Sequence, residues 1–215
     1  MARFLPYKQG SNEWLIARIG ILSASKMDAV TSVLKSGKSS EKRYRLMLDI
    51  IAERRSHEAT DHYTTKAMER GITEEPFSRA RYEEVTGNLV EIVGLAMDDE
   101  IDGWGASCDG LVGEDGCVEF KNPNTSTLIQ YQVEGVLPEV YRMQCLTQLA
   151  ITGRKWCDFF AYDRRIKEGP DYFLIRYEPT PEEIQGVRTA AAQFLQELKQ
   201  MEEQSKGNLS ILKEN

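Results

Sequence analysis

The chain has 215 residues, of which 41% are hydrophobic and 28% are charged, and this is the composition of an ordinary globular protein. No apolar run approaches the roughly 20 residues that a membrane-spanning helix needs, and residues 1–6 carry no leader signature. These features exclude a chain that crosses a membrane as helices, and we expect a cytoplasmic protein.

The length suits one hydrophobic core. We therefore expect a single domain over residues 1–204, followed by a tail over residues 205–215 that frays. The formal net charge is −7. An acidic balance counts against nucleic-acid binding, although an acidic exterior can coexist with a basic channel.

Helical patterns dominate the first half of the chain. Apolar spacing and capping signals predict helices over about residues 12–18, 23–34, 41–55 and 64–86, and Gly87 ends the last of them. The pattern then changes to the alternation of strands, over about residues 89–93, 104–112 and 117–121. A turn at Glu114-Asp115-Gly116 joins the last two strands into a predicted hairpin.

A helix is predicted over residues 138–152, with strands at 156–162 and 172–177. The final helix has a clear start, because Thr180 is a good N-cap, Pro181 suits the first helical position and Glu183 completes a capping box. The sequence therefore predicts an α/β or α+β fold, in which helices flank a small central mixed sheet.

The four cysteines, at 108, 117, 145 and 157, lack the C-x-x-C spacing of a zinc or redox site. We expect free thiols that act as small apolar side chains. A structural disulfide is the alternative.

The predicted hairpin carries the residues of greatest chemical interest. Pairing of its strands makes Asp109 and Glu119 cross-strand neighbours, and the period of two places Glu119 and Lys121 on one face with Phe120 on the other. Two adjacent carboxylates repel unless a cation lies between them, and oxygen ligands favour Mg²⁺ or Mn²⁺.

Such a metal can activate water for hydrolysis of a phosphodiester. Lys121 can orient or deprotonate that water, or neutralise the developing charge. The alternative is a solvated strand face with a weak ion pair. Glu75, in the predicted fourth helix, can complete the site, but the alternative is an exposed acidic helix face, because four further glutamates lie nearby: Glu69, Glu74, Glu83 and Glu84.

Several blocks of the sequence resemble the phage lambda exonuclease family and the related YqaJ-type viral recombination nucleases, and they occur in the family's order. The blocks are QGSNEW (9–14), RIGILSAS (18–25), GITEE (71–75), ASCDGL (106–111), VEFKNP (118–123), YRMQ (141–144) and FFAYD (159–163). They span about residues 9–165, which is most of the chain. The resemblance implies a single nuclease domain with a restriction-endonuclease-like fold of the PD-(D/E)-x-K type.

The resemblance also implies residue roles. Asp109 and Glu119 resemble the metal ligands, with the backbone carbonyl of Phe120 as a further ligand. Lys121 resembles the residue that positions or activates the attacking water, and Glu75 resembles a helix carboxylate that supports the metals through water. The implied cofactor is two Mg²⁺ ions, for which Mn²⁺ can substitute.

A second set resembles the family's pocket for a 5′-terminal phosphate: Arg18, Ser25, Ser107 and Gln144. The planar fork of an arginine matches phosphate geometry, and Ser25 is predicted at the start of a helix, where free N–H groups favour an anion. The alternatives are a surface cation, an N-cap, a strand hydroxyl and an exposed helix residue, respectively.

The resemblance implies a 5′-to-3′ exonuclease that releases 5′-mononucleotides from duplex DNA ends and leaves 3′ single strands for phage-type recombination. It further implies a ring-shaped homotrimer and a phage single-strand annealing protein as partner, in a bacterial cytoplasm. Candidates for DNA contact include Lys38, Lys42, Arg43 and Arg45, and the alternative for them is a solvated helix face. The alternatives are an endonuclease or repair nuclease on the same core, or a DNA-end-binding protein without catalysis.

Overall fold

A computed structural model describes residues 2–32, 40–60 and 66–211, except for the side chains of residues 66–69 and 207–211. The helices in these ranges are α1 (Asn12–Ala17), α2 (Met27–Thr31), α3 (Glu41–Ser56), α4 (Lys66–Thr86), α5 (Thr125–Glu134), α6 (Glu139–Thr152) and α7 (Pro181–Ile211). The strands are β1 (Arg3–Phe4), β2 (Leu22–Ser23), β3 (Val90–Glu91), β4 (Ala96–Met97), β5 (Trp104–Ala106), β6 (Gly110–Val112), β7 (Gly116–Lys121), β8 (Trp156–Tyr162) and β9 (Tyr172–Tyr177).

The strands form two mixed sheets. The smaller sheet has the order β1-β4-β5-β2, with β2 parallel to β5. The larger sheet has the order β3-β6-β7-β8-β9, in which β7 and β8 are parallel and the other pairs are antiparallel. Helices α5 and α6 form the crossover between the two parallel strands, as parallel pairing requires.

Alternating aromatic side chains hold helices on both faces of the larger sheet. Phe160 of β8 packs edge-on against Tyr82 of α4 and Phe120 of β7, with ring centroids 5.5 and 6.0 Å apart. Its neighbour Phe159 points to the other face and lies 6.0 Å from Tyr131 of α5. Because successive residues of a strand point to opposite faces, β8 is buried between α4 and α5.

The final helix begins as its sequence predicts. The Glu183 N–H donates to Thr180 Oγ1 at 3.2 Å, and the Thr180 N–H donates to Glu183 Oε2 at 2.8 Å, which confirms the capping box. The main core includes side chains of α2, α3 and α6. The apolar stripe of α7 is buried in this core and consists of Val187, Ala191, Phe194 and Leu198. The helix runs from Pro181 to Ile211.

Three predicted elements differ in detail. The strand predicted over residues 104–112 is two strands in different sheets, because the chain leaves the smaller sheet after Ala106 and joins the larger one at Gly110. The helix predicted over residues 23–34 is a one-turn 3₁₀ helix (Ala24–Lys26) followed by α2. The hairpin turn lies over residues 113–115, where Gly113 has φ +55°, and Gly116 already belongs to β7.

The sequence patterns missed β1, β2, β4 and α5. All four cysteines are free and buried, which confirms the expectation of unpaired thiols. No helix in the described ranges is long and apolar enough to cross a bilayer.

Candidate active site

The hairpin of β6 and β7 brings the predicted catalytic residues together. Its register pairs Gly110 with Val118. Asp109, the residue immediately before β6, therefore lies beside Glu119. The Phe120 N–H donates to Asp109 Oδ2 at 2.7 Å, and this bond fixes the Asp109 carboxylate against β7. Glu119 and Lys121 form an ion pair on one face of the strand, while the Phe120 ring lies in the core on the other, as the alternation predicts.

Glu119 is only 1% exposed, and donors surround its carboxylate. Its Oε1 accepts from the Lys121 ammonium and from Gln144 Nε2, the latter at 2.6 Å. Its Oε2 accepts from Gln148 Nε2 at 2.6 Å. Helix α6 supplies both amides, so packing of α6 against the sheet determines how the carboxylate is held.

Negative charge is concentrated at this point. Burial and the charge of Glu119 raise the pKa of Asp109 well above its usual value, against the opposing effect of Lys121. Burial, and then Glu119, also raise the pKa of Glu75. Although burial disfavours an ammonium, Glu119 and Asp109 raise the pKa of Lys121. Three carboxylates therefore lie close together around Lys121, with Arg79 acting on Glu75 as well, and a bound cation would relieve their repulsion.

The donor set fits a hard divalent cation. Asp109, Glu119 and the Phe120 carbonyl offer oxygen ligands, which Mg²⁺ and Mn²⁺ prefer. No three Asp, Glu, His or Cys side chains within the described ranges are grouped so as to hold a metal alone. Mg²⁺ usually keeps several waters and is held by one or two carboxylates, so the two carboxylates Asp109 and Glu119 fit such an ion.

Two cavities open beside the carboxylates. The larger has a volume of about 740 Å³ and contains Asp109, Lys121 and Glu75, so the predicted helix glutamate does face the site. Its other walls are polar and aromatic residues of α4, α5, α6 and the segment after β7: Arg70, Gly71, Phe120, Asn122, Pro123, Asn124, Thr127, Tyr131 and Tyr141.

The smaller cavity, about 140 Å³, brings the whole predicted phosphate set together. It is lined by Arg18, Ser25, Ser107 and Gln144, with Gln9, Ser23 and Ala24 beside them. Asp109, Glu119 and Lys121 complete its wall. Two of these three, Asp109 and Lys121, also line the larger cavity, so the two cavities meet at the carboxylates.

Trp14 organises the smaller cavity. Its buried indole donates from Nε1 to Ser107 Oγ at 3.1 Å, and the Arg18 guanidinium lies 4.2 Å from the ring centroid. Burial lowers the pKa of Arg18, with Glu53 opposing this effect, but an arginine remains charged. Among the residues that the structure describes, none accepts a hydrogen bond from the Arg18 guanidinium.

Ser25 reaches this cavity by a different route from the one predicted. It is the middle residue of the one-turn 3₁₀ helix and does not begin a long helix, so the helix dipole cannot explain an anion there. Its hydroxyl is exposed and lies 3.2 Å from the Ser23 hydroxyl. One hydroxyl donates to the other, which leaves the second O–H free to donate to an anion.

The cations proposed to contact DNA differ in their exposure to solvent and in their ion pairs. Arg43 donates to Glu197 of α7 at 2.6 Å and is largely buried, so it ties α3 to α7. Arg45 is 73% exposed and Lys42 is also exposed. Lys38 lies outside the described residues.

Sequence reasoning missed Trp14, Gln148 and the tyrosines of the larger cavity as site residues. Gln148 left a signal, because it lies four residues after Gln144, on the same helix face, within the apolar run of α6. For Tyr131 the only sequence signal was the pair of capping residues of its helix α5, which are Asn124 and Gly135, the latter with φ +64°.

Comparisons with known proteins show which family and fold the chain resembles. A family model described as the YqaJ-like viral recombinase domain matches residues 13–155. A comparison with curated protein sequences finds no match. Two crystal structures of the alkaline exonuclease LHK-Exo of Laribacter hongkongensis, one in complex with dAMP, share 37% identity with this chain and a TM-score of 0.86. Each alignment covers 94% of this chain and 100% of theirs.

A phage related exonuclease from Haemophilus somnus has 10% identity and a TM-score of 0.60, covering 84% of this chain and 96% of its own. At that identity the likeness shows the fold alone. The LHK-Exo structures confirm the restriction-endonuclease-like α/β fold. Since the family model covers most of the sequence and an exonuclease of known structure matches nearly the whole chain, this protein belongs to the YqaJ-like viral recombinase family.

Proposed function

We propose that this chain is a Mg²⁺-dependent 5′-to-3′ exonuclease that acts on duplex DNA ends, releases 5′-mononucleotides and leaves a 3′ single strand. Family membership and the 37% identity to an alkaline exonuclease support a DNA exonuclease. The observation that carries the finer proposal is the meeting of the two cavities at Asp109 and Lys121. An end-binding pocket beside a cleaving centre sets the cut at a fixed distance from the end.

The smaller cavity suits a terminal phosphate. Arg18 supplies a charged fork whose N–H groups have no acceptor within the described part of the chain, and Ser25 and Ser107 supply hydroxyls. Arginine–phosphate hydrogen bonds are among the stronger ones in proteins. Such a pocket binds a 5′-phosphorylated end and receives the new 5′ end after each cut. The dAMP bound to LHK-Exo supports a nucleoside monophosphate as product.

The larger cavity suits the DNA strand at the point of cleavage. Two Mg²⁺ ions held by Asp109, Glu119 and the Phe120 carbonyl would polarise the scissile phosphate and lower the pKa of a bound water. Lys121 donates to Glu119, and the same ammonium can donate to a water or to a phosphate oxygen in the cleft. Glu75 faces this space and can orient water molecules around the metals.

We also propose that three copies form a ring around DNA and that a single-strand annealing protein binds the complex. Both proposals are supported by the family resemblance. A ring places Lys42, Arg45 or other exposed cations on its inner wall, so that an acidic protein can hold DNA. Light scattering after size-exclusion chromatography tests the trimer, since a mass near one copy would contradict it.

One assay tests the activity. Linear duplex DNA with or without 5′ phosphates is incubated with Mg²⁺ or EDTA, and acid-soluble nucleotides are followed. We expect Mg²⁺-dependent release that is fastest on 5′-phosphorylated ends, while covalently closed circular duplex stays intact. Cleavage of the circle would indicate an endonuclease, and release from the 3′ end would reverse the proposed direction.

A further inference from the structure

We infer that Gln148 is a positioning residue for the metal site, because it orients the one oxygen of Glu119 that remains open to a divalent cation. The inference rests on the proposed function and assigns a role to a side chain outside the Asp109–Glu119–Lys121 set.

The hydrogen-bond donors around Glu119 do not use all of its acceptor positions. An ionised carboxylate has roughly four lone-pair positions, two on each oxygen. Oε1 accepts from Lys121 and from Gln144, so both of its positions are used. Within the part of the chain that the structure describes, Oε2 accepts from Gln148 alone. The remaining lone pair of Glu119 is therefore on the oxygen that Gln148 holds.

The side-chain amide of Gln148 is itself held in one orientation. It is fully buried, and its Nε2 donates to Glu119 Oε2 at 2.6 Å and faces the Ser107 carbonyl oxygen at 3.3 Å. Its Oε1 faces the Cys157 thiol at 3.8 Å. Both groups at the Nε2 end only accept, whereas the thiol can donate weakly, so the amide has one consistent orientation.

Gln148 also contacts the backbone of Ser107, a residue of the smaller cavity. Ser107 lines the smaller cavity with its hydroxyl, and its carbonyl faces the amide that grips Glu119. Gln148 therefore bridges the segment between β5 and β6 to strand β7. Groups that orient metal ligands typically contribute 10- to 100-fold in metal affinity or activity, and Gln148 has this position.

The test compares Gln148→Met, which keeps the volume and removes the donor, with Thr147→Val on the same helix. Thr147 is equally buried and donates to the Met143 carbonyl at 2.7 Å, so its replacement removes a buried hydrogen bond without touching Glu119. Gln148→Asn serves as a second variant, because it keeps the amide but is one methylene too short to reach Oε2. Circular dichroism establishes that each variant is folded.

Two readouts are combined. Mn²⁺ binding without DNA is measured from the free-ion electron paramagnetic resonance signal, and nucleotide release is measured against Mg²⁺ concentration. We expect Gln148→Met and Gln148→Asn to bind Mn²⁺ about 10- to 100-fold more weakly and to need correspondingly more Mg²⁺. Saturating Mg²⁺ should restore most of kcat, with KM for DNA unchanged, and Thr147→Val should match the wild type.

Wild-type Mn²⁺ affinity in both Gln148 variants would overturn the inference. An equal loss in Thr147→Val would also overturn it, because the effect would then arise from packing of α6. A wild-type protein that binds Mn²⁺ but releases no nucleotides would contradict the proposed exonuclease, while the binding comparison would still decide the role of Gln148.

Discussion

Replacing Arg18 by lysine tests whether the smaller cavity reads a terminal phosphate. Lysine keeps the positive charge and can still lie over the Trp14 ring, but it loses the planar fork that matches a phosphate. A hydrogen bond to a charged group is worth about 1.5–3 kcal/mol. Loss of one such bond, about 2 kcal/mol, corresponds to a roughly 30-fold lower kcat/KM on 5′-phosphorylated DNA.

The assay is single-turnover release of the first nucleotide from duplexes that differ only in the 5′ group. On 5′-hydroxyl ends the Arg18→Lys variant should stay within about threefold of the wild type, because the group that arginine recognises is absent. Arg3→Lys is the matched control, since Arg3 is exposed on β1 and lines neither cavity. An equal loss on both kinds of end would refute recognition of the terminal phosphate by Arg18.

Three further outcomes are expected. Lys121→Ala should abolish nucleotide release and leave DNA binding in a gel-shift assay within a few fold, and persistent release would contradict its role. Tyr82→Phe removes a buried 2.7 Å hydrogen bond to Asp158 and should lower the free energy of unfolding by about 1–3 kcal/mol with unchanged kcat, as measured by urea denaturation and by the nucleotide assay. Asp163 has a pKa of about 2, because hydrogen bonds from Arg165 and Thr125 outweigh its burial. The ionised carboxylate therefore stabilises the folded protein by roughly 2 kcal/mol, and this contribution is present above pH 4 and is lost as the pH falls toward 2. Asp163→Asn should therefore be less stable than the wild type at pH 7, with a difference that shrinks below pH 4, and a difference independent of pH would contradict this.

The geometry of the hairpin was predictable because it depends on local rules. A period of two places Glu119 and Lys121 on one face whatever the rest of the fold is, and a short turn makes the strands antiparallel. The start of α7 was predictable for the same reason, since Thr180 and Glu183 satisfy each other within one turn.

The errors occurred where distant segments decide the outcome. Residues 107–109 have the pattern of a continuous strand, but the chain changes sheets there, and this break turns Asp109 toward the cleft. Ser25 has the pattern of a helix start, yet it lies in a single 3₁₀ turn. Gln148 looks like one polar residue in an apolar helix until β7 places Glu119 against it.

The sequence by itself determined which side chains share one face of the hairpin and which family the chain matches, because alternation, capping and motif order are properties of neighbouring residues. Only the tertiary structure decided that Trp14, Arg18 and Ser107 meet the hairpin, and that α6 closes over Glu119. The physical reason is range: hydrogen bonds between residues 25 to 93 positions apart form only after the core has brought their strands and helices together.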